Sequence, residues 1–314
     1  MARAGAPRAH GQFYNLAGPR PLPGVATMFP FLLRKAWTSL LPRGGAARLV
    51  PFDRTAMMHN PSVTWIGHST MLVRMDGVTF LTDPIFSERA SPVAFAGPQR
   101  RVPPGVPLSE LPPIDFVLIS HDHYDHADVA SIAALAQRGA RFIVPLGLGD
   151  LVRDAGGMAS ELDWWESVDV GAVQVHCVPS QHFSGRSALN SNDRLWSGWV
   201  VAGPTRRFYH AGDTGYFDGF KEIGARLGPI DLAAVPIGAY DPPAIMQFVH
   251  LNPEEAVQAA LDLRATRVVA MHYGTFDLTD EPLDEPPRRF HAAAQQSFGK
   301  RRAWTLNVGE SRSW

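Results

Sequence analysis

Six consecutive residues, His121-Asp122-His123-Tyr124-Asp125-His126, combine three imidazoles with carboxylates at spacings that suit metal ligation. An H-x-H-x-D-H string arises by chance in on the order of one such chain in a thousand, so the run asks for a chemical explanation. His121 and His123 alternate and can point to one side, while Asp125 and His126 can curl back towards a second centre about 3.5–4 Å from the first. One loop can therefore feed two metals. Two metals sharing a water lower its pKa towards neutrality and yield a hydroxide for attack on a phosphorus or carbonyl centre.

The element that must position this motif is Phe116-Val117-Leu118-Ile119-Ser120, a short apolar run after Pro112-Pro113, read as a buried strand whose C-terminal end opens into the loop. Three further strand ends carry ligand-type residues: Ser180-Gln181-His182, Ala211-Gly212-Asp213-Thr214-Gly215 and Met271-His272-Tyr273-Gly274. Taken alone, His182 or His272 would more often be a buried histidine satisfied by its neighbours. Beside the first motif they complete a count: His121, His123, His126, His182 and His272 with Asp125 and Asp213 are what two metal centres need. The single cysteine, Cys177, cannot make a thiolate site or an intrachain disulfide, and its strand-like setting predicts a packed thiol. Imidazole and carboxylate favour a hydrolytic zinc or iron-type centre, and manganese suits the same donors.

The rest of the chain reads as alternating strands and helices. Asp76-Gly77 marks a hairpin between residues 70–75 and 78–81, and residues 129–137 form a helix stopped by Gly139 that leads into a strand over 141–145. Strands follow over 168–178, 196–202, 207–210 and 231–236. Asn252, Pro253 and Glu255 carry the signature of a capping box that starts a late helix, ahead of a strand over 267–271. The proline-rich residues 92–113 are expected to be a loop that shapes the substrate site. With no repeat, one catalytic domain over 61–314 follows an N-terminal arm over 1–60.

With 45% apolar and 19% charged residues and a formal charge of −1, the chain is an ordinary globular protein without the basic field a nucleic-acid groove needs. It has no apolar run of eighteen residues and no signal-peptide pattern, so a cytoplasmic location is expected. Residues 1–54 are locally basic: Arg3, Arg8, Arg20, Arg34, Lys35, Arg43, Arg48 and Arg54 stand against Asp53 alone, with Phe29, Phe31 and Trp37 interleaved. A short amphipathic helix over 31–41, bracketed by Pro30 and Pro42, would rest on anionic lipid headgroups as a peripheral contact, or pack on the domain or on a second copy in a homodimer.

Together with the ligand set, Trp65-Ile66-Gly67-His68-Ser69-Thr70, Phe80-Leu81-Thr82-Asp83-Pro84-Ile85-Phe86, Ala211-Gly212-Asp213-Thr214-Gly215-Tyr216, Pro236-Ile237-Gly238-Ala239-Tyr240 and His250 ahead of Asn252-Pro253-Glu254-Glu255-Ala256 are specific strings. They resemble the metallo-β-lactamase superfamily and, within it, the N-acyl-phosphatidylethanolamine-hydrolysing phospholipase D family, over about residues 60–290. The resemblance implies an α/β (α+β) fold, a four-layer αββα sandwich. It implies one zinc on His121, His123 and His182, the other on Asp125, His126 and His272, and Asp213 as the bridge. It also implies a phosphodiesterase acting on an N-acyl-phosphatidylethanolamine-like glycerophospholipid.

Asp125, Asp213, His250 and Tyr124 are read as the residues acting in the reaction. His250 would donate to a substrate oxygen or leaving group, and Tyr124 would either hydrogen-bond a phosphate or pack beneath the metals. Asp83 and His68 are expected to orient ligands. Asp122, alternating away from its neighbours, is expected to face solvent or a backbone amide and to tolerate asparagine. A lactonase or carboxylic ester hydrolase would use the same ligands, and a noncatalytic, metal-stabilised membrane-docking protein is the reading from a different class.

Overall fold

The computed structural model describes residues 5–19, 24–38, 44–186 and 191–314. A small hairpin, β1 (Arg8–Ala9) and β2 (Gln12–Phe13), precedes helix α1 (Val25–Thr38) and the short α2 (Arg54–Met57). The first half then runs β3 (Ser62–Gly67), β4 (Thr70–Met75), β5 (Val78–Thr82), β6 (Phe116–Leu118), α3 (Val129–Gln137), β7 (Arg141–Pro145), α4 (Gly149–Asp154) and β8 (Met158–Leu162). The second half runs β9 (Ser167–Val170), β10 (Val173–Val178), β11 (Gly198–Ala202), β12 (Arg207–His210), α5 (Gly219–Leu227), β13 (Ile230–Pro236), α6 (Pro243–Met246), α7 (Pro253–Asp262), β14 (Ala265–Met271), α8 (Glu285–Ser297), β15 (Ala303–Trp304) and β16 (Ser311–Arg312).

These strands make two seven-stranded sheets, ordered β16-β3-β4-β5-β6-β7-β8 and β15-β14-β13-β12-β11-β10-β9. The two-residue period of β6 explains why they stack. Phe116 and Leu118 join the core shared with the second sheet, while Val117 and the following Ile119 pack with Ile132, Leu135 and Val152 of the helices on the other face. Phe220, Val257 and Phe290 of α5, α7 and α8 cover the second sheet from outside. The result is the expected αββα sandwich.

Two local expectations need correction. The stretch 168–178 is not one strand: β9 and β10 pair antiparallel around a turn at Gly171, whose φ is +58°. The N-terminal helix begins at Val25 and runs through Pro30 instead of starting after it. Pro30 forfeits one helical hydrogen bond, and docking offsets the loss: Arg34 pairs with Asp280, Lys35 lies 2.9 Å from Asp277 Oδ1, and Phe31 is buried. The side chain of Trp37 and residues 39–43 lie outside the described residues. The capping box at Asn252 is formed as read, with Glu255 N–H donating to Asn252 Oδ1 at 2.9 Å and Asn252 N–H to Glu255 Oε2 at 3.0 Å. No described helix is long and apolar enough to cross a membrane.

Candidate metal centre

The loops leaving β6, β10, β12 and β14 meet at one edge of the sandwich, because in both sheets the chemistry-bearing residues follow the last apolar residue of a strand. Their histidines, buried apart from the half-buried His123, converge on two points. Around the first, His121 Nε2 lies 2.9 Å and His182 Nε2 3.3 Å from His123 Nδ1. Around the second, His126 Nε2 and His272 Nε2 lie 3.6 and 3.5 Å from Asp125 Oδ2. Asp213 Oδ2 stands between them, 3.2 Å from His126, 3.1 Å from His272 and 4.0 Å from both His121 and His182. Gly212 permits this placement. Its φ is +60°, and a Cβ there would lie 2.5 Å from Ser120 Cβ.

In three of the five rings the far nitrogen fixes which nitrogen faces inward. His121 Nδ1 lies 2.9 Å from Ser120 Oγ, His126 Nδ1 2.8 Å from Asp83 Oδ2 and His182 Nδ1 2.9 Å from the Val249 carbonyl. Each donates its Nδ1 proton to that contact, so each turns Nε2 inward. Nitrogens gathered about 3 Å apart need a proton or a metal cation between them. His126 Nε2, His272 Nε2 and Asp213 Oδ1 are buried and have no hydrogen-bond partner among the described residues. All-imidazole and carboxylate donors, buried and unpartnered, fit divalent transition metals.

Electrostatics agree with that fit. Burial holds the pKa of His121 and His182 well below the ordinary value, keeping them neutral. Burial opposes charge on His126 and His272 too, but the carboxylates led by Asp213 outweigh it and raise His126 well above the ordinary value and His272 to about 9. A protein without metal thus holds protons where cations belong.

A supporting layer surrounds the ligands. Asp83, fully buried, takes Ser120 N–H on Oδ1 at 2.7 Å, and its Oδ2 lies 2.8 Å from Ser120 Oγ, His126 Nδ1 and His210 Nε2. Burial would raise its pKa, and the facing His210 and His126 hold it below the usual carboxylate range instead. His68 Nε2 lies 2.9 Å from Asp125 Oδ2. His68, Asp83 and His272 have φ of +52°, +38° and +61°, a strain of roughly 1–3 kcal/mol each that persists only where the surroundings dictate it.

His250 reaches the centre from the loop after α6, with Nδ1 3.9 Å from Asp213 Oδ2. It lines a cavity of about 230 Å³ with Tyr240, Gln247 and Glu255. Burial lowers its pKa to about 4, so it is neutral at pH 7. Tyr124 donates its hydroxyl to the Arg186 carbonyl at 2.9 Å, and the Arg186 guanidinium lies 3.9 Å from its ring centre. Tyr124 and Arg186 wall a larger cavity of about 750 Å³, completed by Pro92, Val93 and Ala94 of the proline-rich loop and by Val129 and Ala130 of α3.

Asp122 takes the backbone-amide alternative of its sequence reading and not the solvent one. It is 0% exposed, because Oδ1 accepts from Gly185 N–H at 2.8 Å and Oδ2 lies 3.3 Å from Arg194 Nη1. His210 and Asn15 were missed. His210 ends an apolar strand just before Asp213, the same signal that marked the ligands, whereas nothing local distinguishes Asn15.

Comparison with known proteins places this geometry in context. The family model described as "Beta-lactamase superfamily domain" matches residues 79–273. An uncharacterised protein of Mycobacterium tuberculosis (strain H37Rv) is 46% identical over 260 residues, 81% of this chain, and the chain spans 66% of that relative's length. The N-acyl-phosphatidylethanolamine-hydrolyzing phospholipase D 1 of Caenorhabditis elegans is 39% identical over 289 residues, 84% of this chain and 80% of the relative. Among solved structures, Igni18, a metallo hydrolase from Ignicoccus hospitalis, superimposes with a TM-score of 0.61 at 23% identity, covering 80% of this chain and 97% of its own, which speaks to the fold.

Proposed function

Because the chain belongs to the beta-lactamase superfamily and is one of its metal-dependent hydrolases, we propose that it is a dinuclear zinc phosphodiesterase of phospholipase D type. Its substrate in this reading is an N-acyl-phosphatidylethanolamine-like glycerophospholipid. The observation that carries it is Asp213 Oδ2 standing 3.1–4.0 Å from four imidazole nitrogens of both donor sets, the position of a bridging ligand. The likeness to the C. elegans phospholipase supports the substrate class.

His121, His123 and His182 would hold one zinc, Asp125, His126 and His272 the other, and Asp213 both. Bound there, the ions would supply Lewis acidity towards the phosphoryl oxygens and activate water. The chain's own groups do the rest. Asp83, Ser120 and the Val249 carbonyl fix the inward nitrogens, and His68 orients Asp125. His250, neutral and with Nδ1 unpartnered among the described residues, hydrogen-bonds a substrate oxygen at the cavity mouth. Tyr124 acts as a brace, its hydroxyl already given to Arg186.

The 750 Å³ cavity, lined in part by Val93, Val129 and Ala130, offers space for the apolar part of a lipid. Phe95 beside it is 84% exposed, and Phe29 and Leu33, one turn apart on α1, are 59% and 56% exposed. Such residues suit peripheral contact with a lipid surface. The test is metal content together with hydrolysis of an N-acyl-phosphatidylethanolamine, bis-nitrophenyl phosphate and a simple lactone, before and after chelation. Two zinc ions per chain and chelator-sensitive diester cleavage are expected. Cleavage of the lactone alone would replace this reading with a carbon-ester hydrolase.

A further inference from the structure

His182 lies beyond the end of β10, where no ladder partner reaches it, yet its backbone is buried. Buried backbone groups need partners. Both of its groups find them in a single side chain 167 residues earlier: Asn15 Nδ2 donates to the His182 carbonyl at 2.9 Å, and His182 N–H donates to Asn15 Oδ1 at 3.0 Å. The same Oδ1 accepts from Trp196 Nε1 at 3.0 Å. A primary amide offers donor and acceptor in one plane, so Asn15 substitutes for a neighbouring strand. Apolar side chains cannot do this, and a carboxylate supplies only the acceptor.

Asn15 is itself held in place. It is 4% exposed. The β1–β2 hairpin carries Phe13 into the main core, Phe13 N–H donates to the Asn192 carbonyl at 2.8 Å, and Asn15 bridges to Gly18. With its backbone clamped by Asn15 and its Nδ1 tied to Val249, His182 has one way to face, and its Nε2 meets His123. The clamp touches none of Asp125, His126 or His272. Asn15 also lies outside the 79–273 stretch matched by the family model.

We propose that Asn15 is a positioning residue of the metal centre, through which the N-terminal segment sets the affinity of the His121/His123/His182 site and leaves the other site alone. This rests on the dinuclear reading above. The test uses the full chain stripped of metal, with zinc titrated against a chromophoric chelator. Wild type, Asn15→Ala and Asn15→Asp are compared, each also carrying His272→Ala to identify the steps, with circular dichroism recording the fold. Asn15→Asp preserves the side-chain shape should Asn15→Ala not fold.

The expected result is two zinc steps in wild type, with one weakened about 10- to 100-fold in the Asn15 variants. That weakened step should be the one surviving in the His272→Ala background. Equal weakening of both steps, or unchanged affinities in a folded variant, would overturn the role. A wild-type chain that takes up no zinc would overturn the centre itself and this role with it.

Discussion

The buried carboxylate of Asp122 meets the half-buried guanidinium of Arg194 at 3.3 Å across 72 residues of sequence, behind the loop that carries His121 and His123. The pair fastens the segment after His182 to the loop that carries His121 and His123, and Arg194 continues outward to Asp150 at 3.1 Å. A residue in the middle of the ligand motif therefore works as a structural anchor.

Replacing Asp122 with asparagine removes the buried charge opposite Arg194 and leaves the half-buried guanidinium with Asp150 as its remaining carboxylate partner. A loss of about 1–3 kcal/mol is expected, read as a lower urea midpoint at unchanged slope. A midpoint equal to wild type would mean that Arg194 and Asp150 suffice without Asp122.

Asp213→Asn and His123→Ala should both leave a folded protein with little turnover. Metal catalysis is worth several kcal/mol, and a tenfold change in rate corresponds to about 1.4 kcal/mol, so a fall of about 100-fold or more is expected for either. Zinc content separates them, since Asp213 belongs to both donor sets and His123 to one. An active Asp213→Asn enzyme would remove the bridging role.

Asp83→Asn should lower zinc affinity by about 10- to 100-fold without replacing a proposed ligand. An amide must turn its NH₂ towards one of the groups that now meet a carboxylate oxygen, and both His126 and His210 stand 2.8 Å from Oδ2. Chelator competition measures the change, and His210→Ala should move affinity in the same direction.

His250→Ala should reduce kcat by about 100-fold or more, in the range of a lost hydrogen-bonding acid or base, while zinc stoichiometry stays the same. Loss of zinc in this variant would make His250 a ligand, an arrangement its closeness to His182 and Asp213 also permits.

The convergence of these imidazoles and carboxylates was legible in the sequence because it depends on residue type at strand ends. Apolar runs and their terminations are local features, and continuous apolar stretches expose β6 and β14 as buried strands. The capping box at Asn252 was legible for the same reason: all its partners lie within one turn. The helix through Pro30 was not, since its stability comes from Arg34 and Lys35 docking on residues 277–280, far away in sequence.

By itself, then, the sequence determined the chemistry, a cluster of imidazoles and carboxylates standing at the ends of β6, β10, β12 and β14, and, through the family resemblance of its motifs, the αββα frame. Tertiary structure alone decided how each ligand is aimed: Asp83 joining His126 to His210, Asp122 turning inward to Gly185 and Arg194, and Asn15 clamping His182. The physical reason is that a hydrogen bond between segments dozens or more residues apart depends on how the sheets pack. Asn15 and Asp122 look like any surface polar residues until packing removes the water around them and leaves each with specific partners to satisfy.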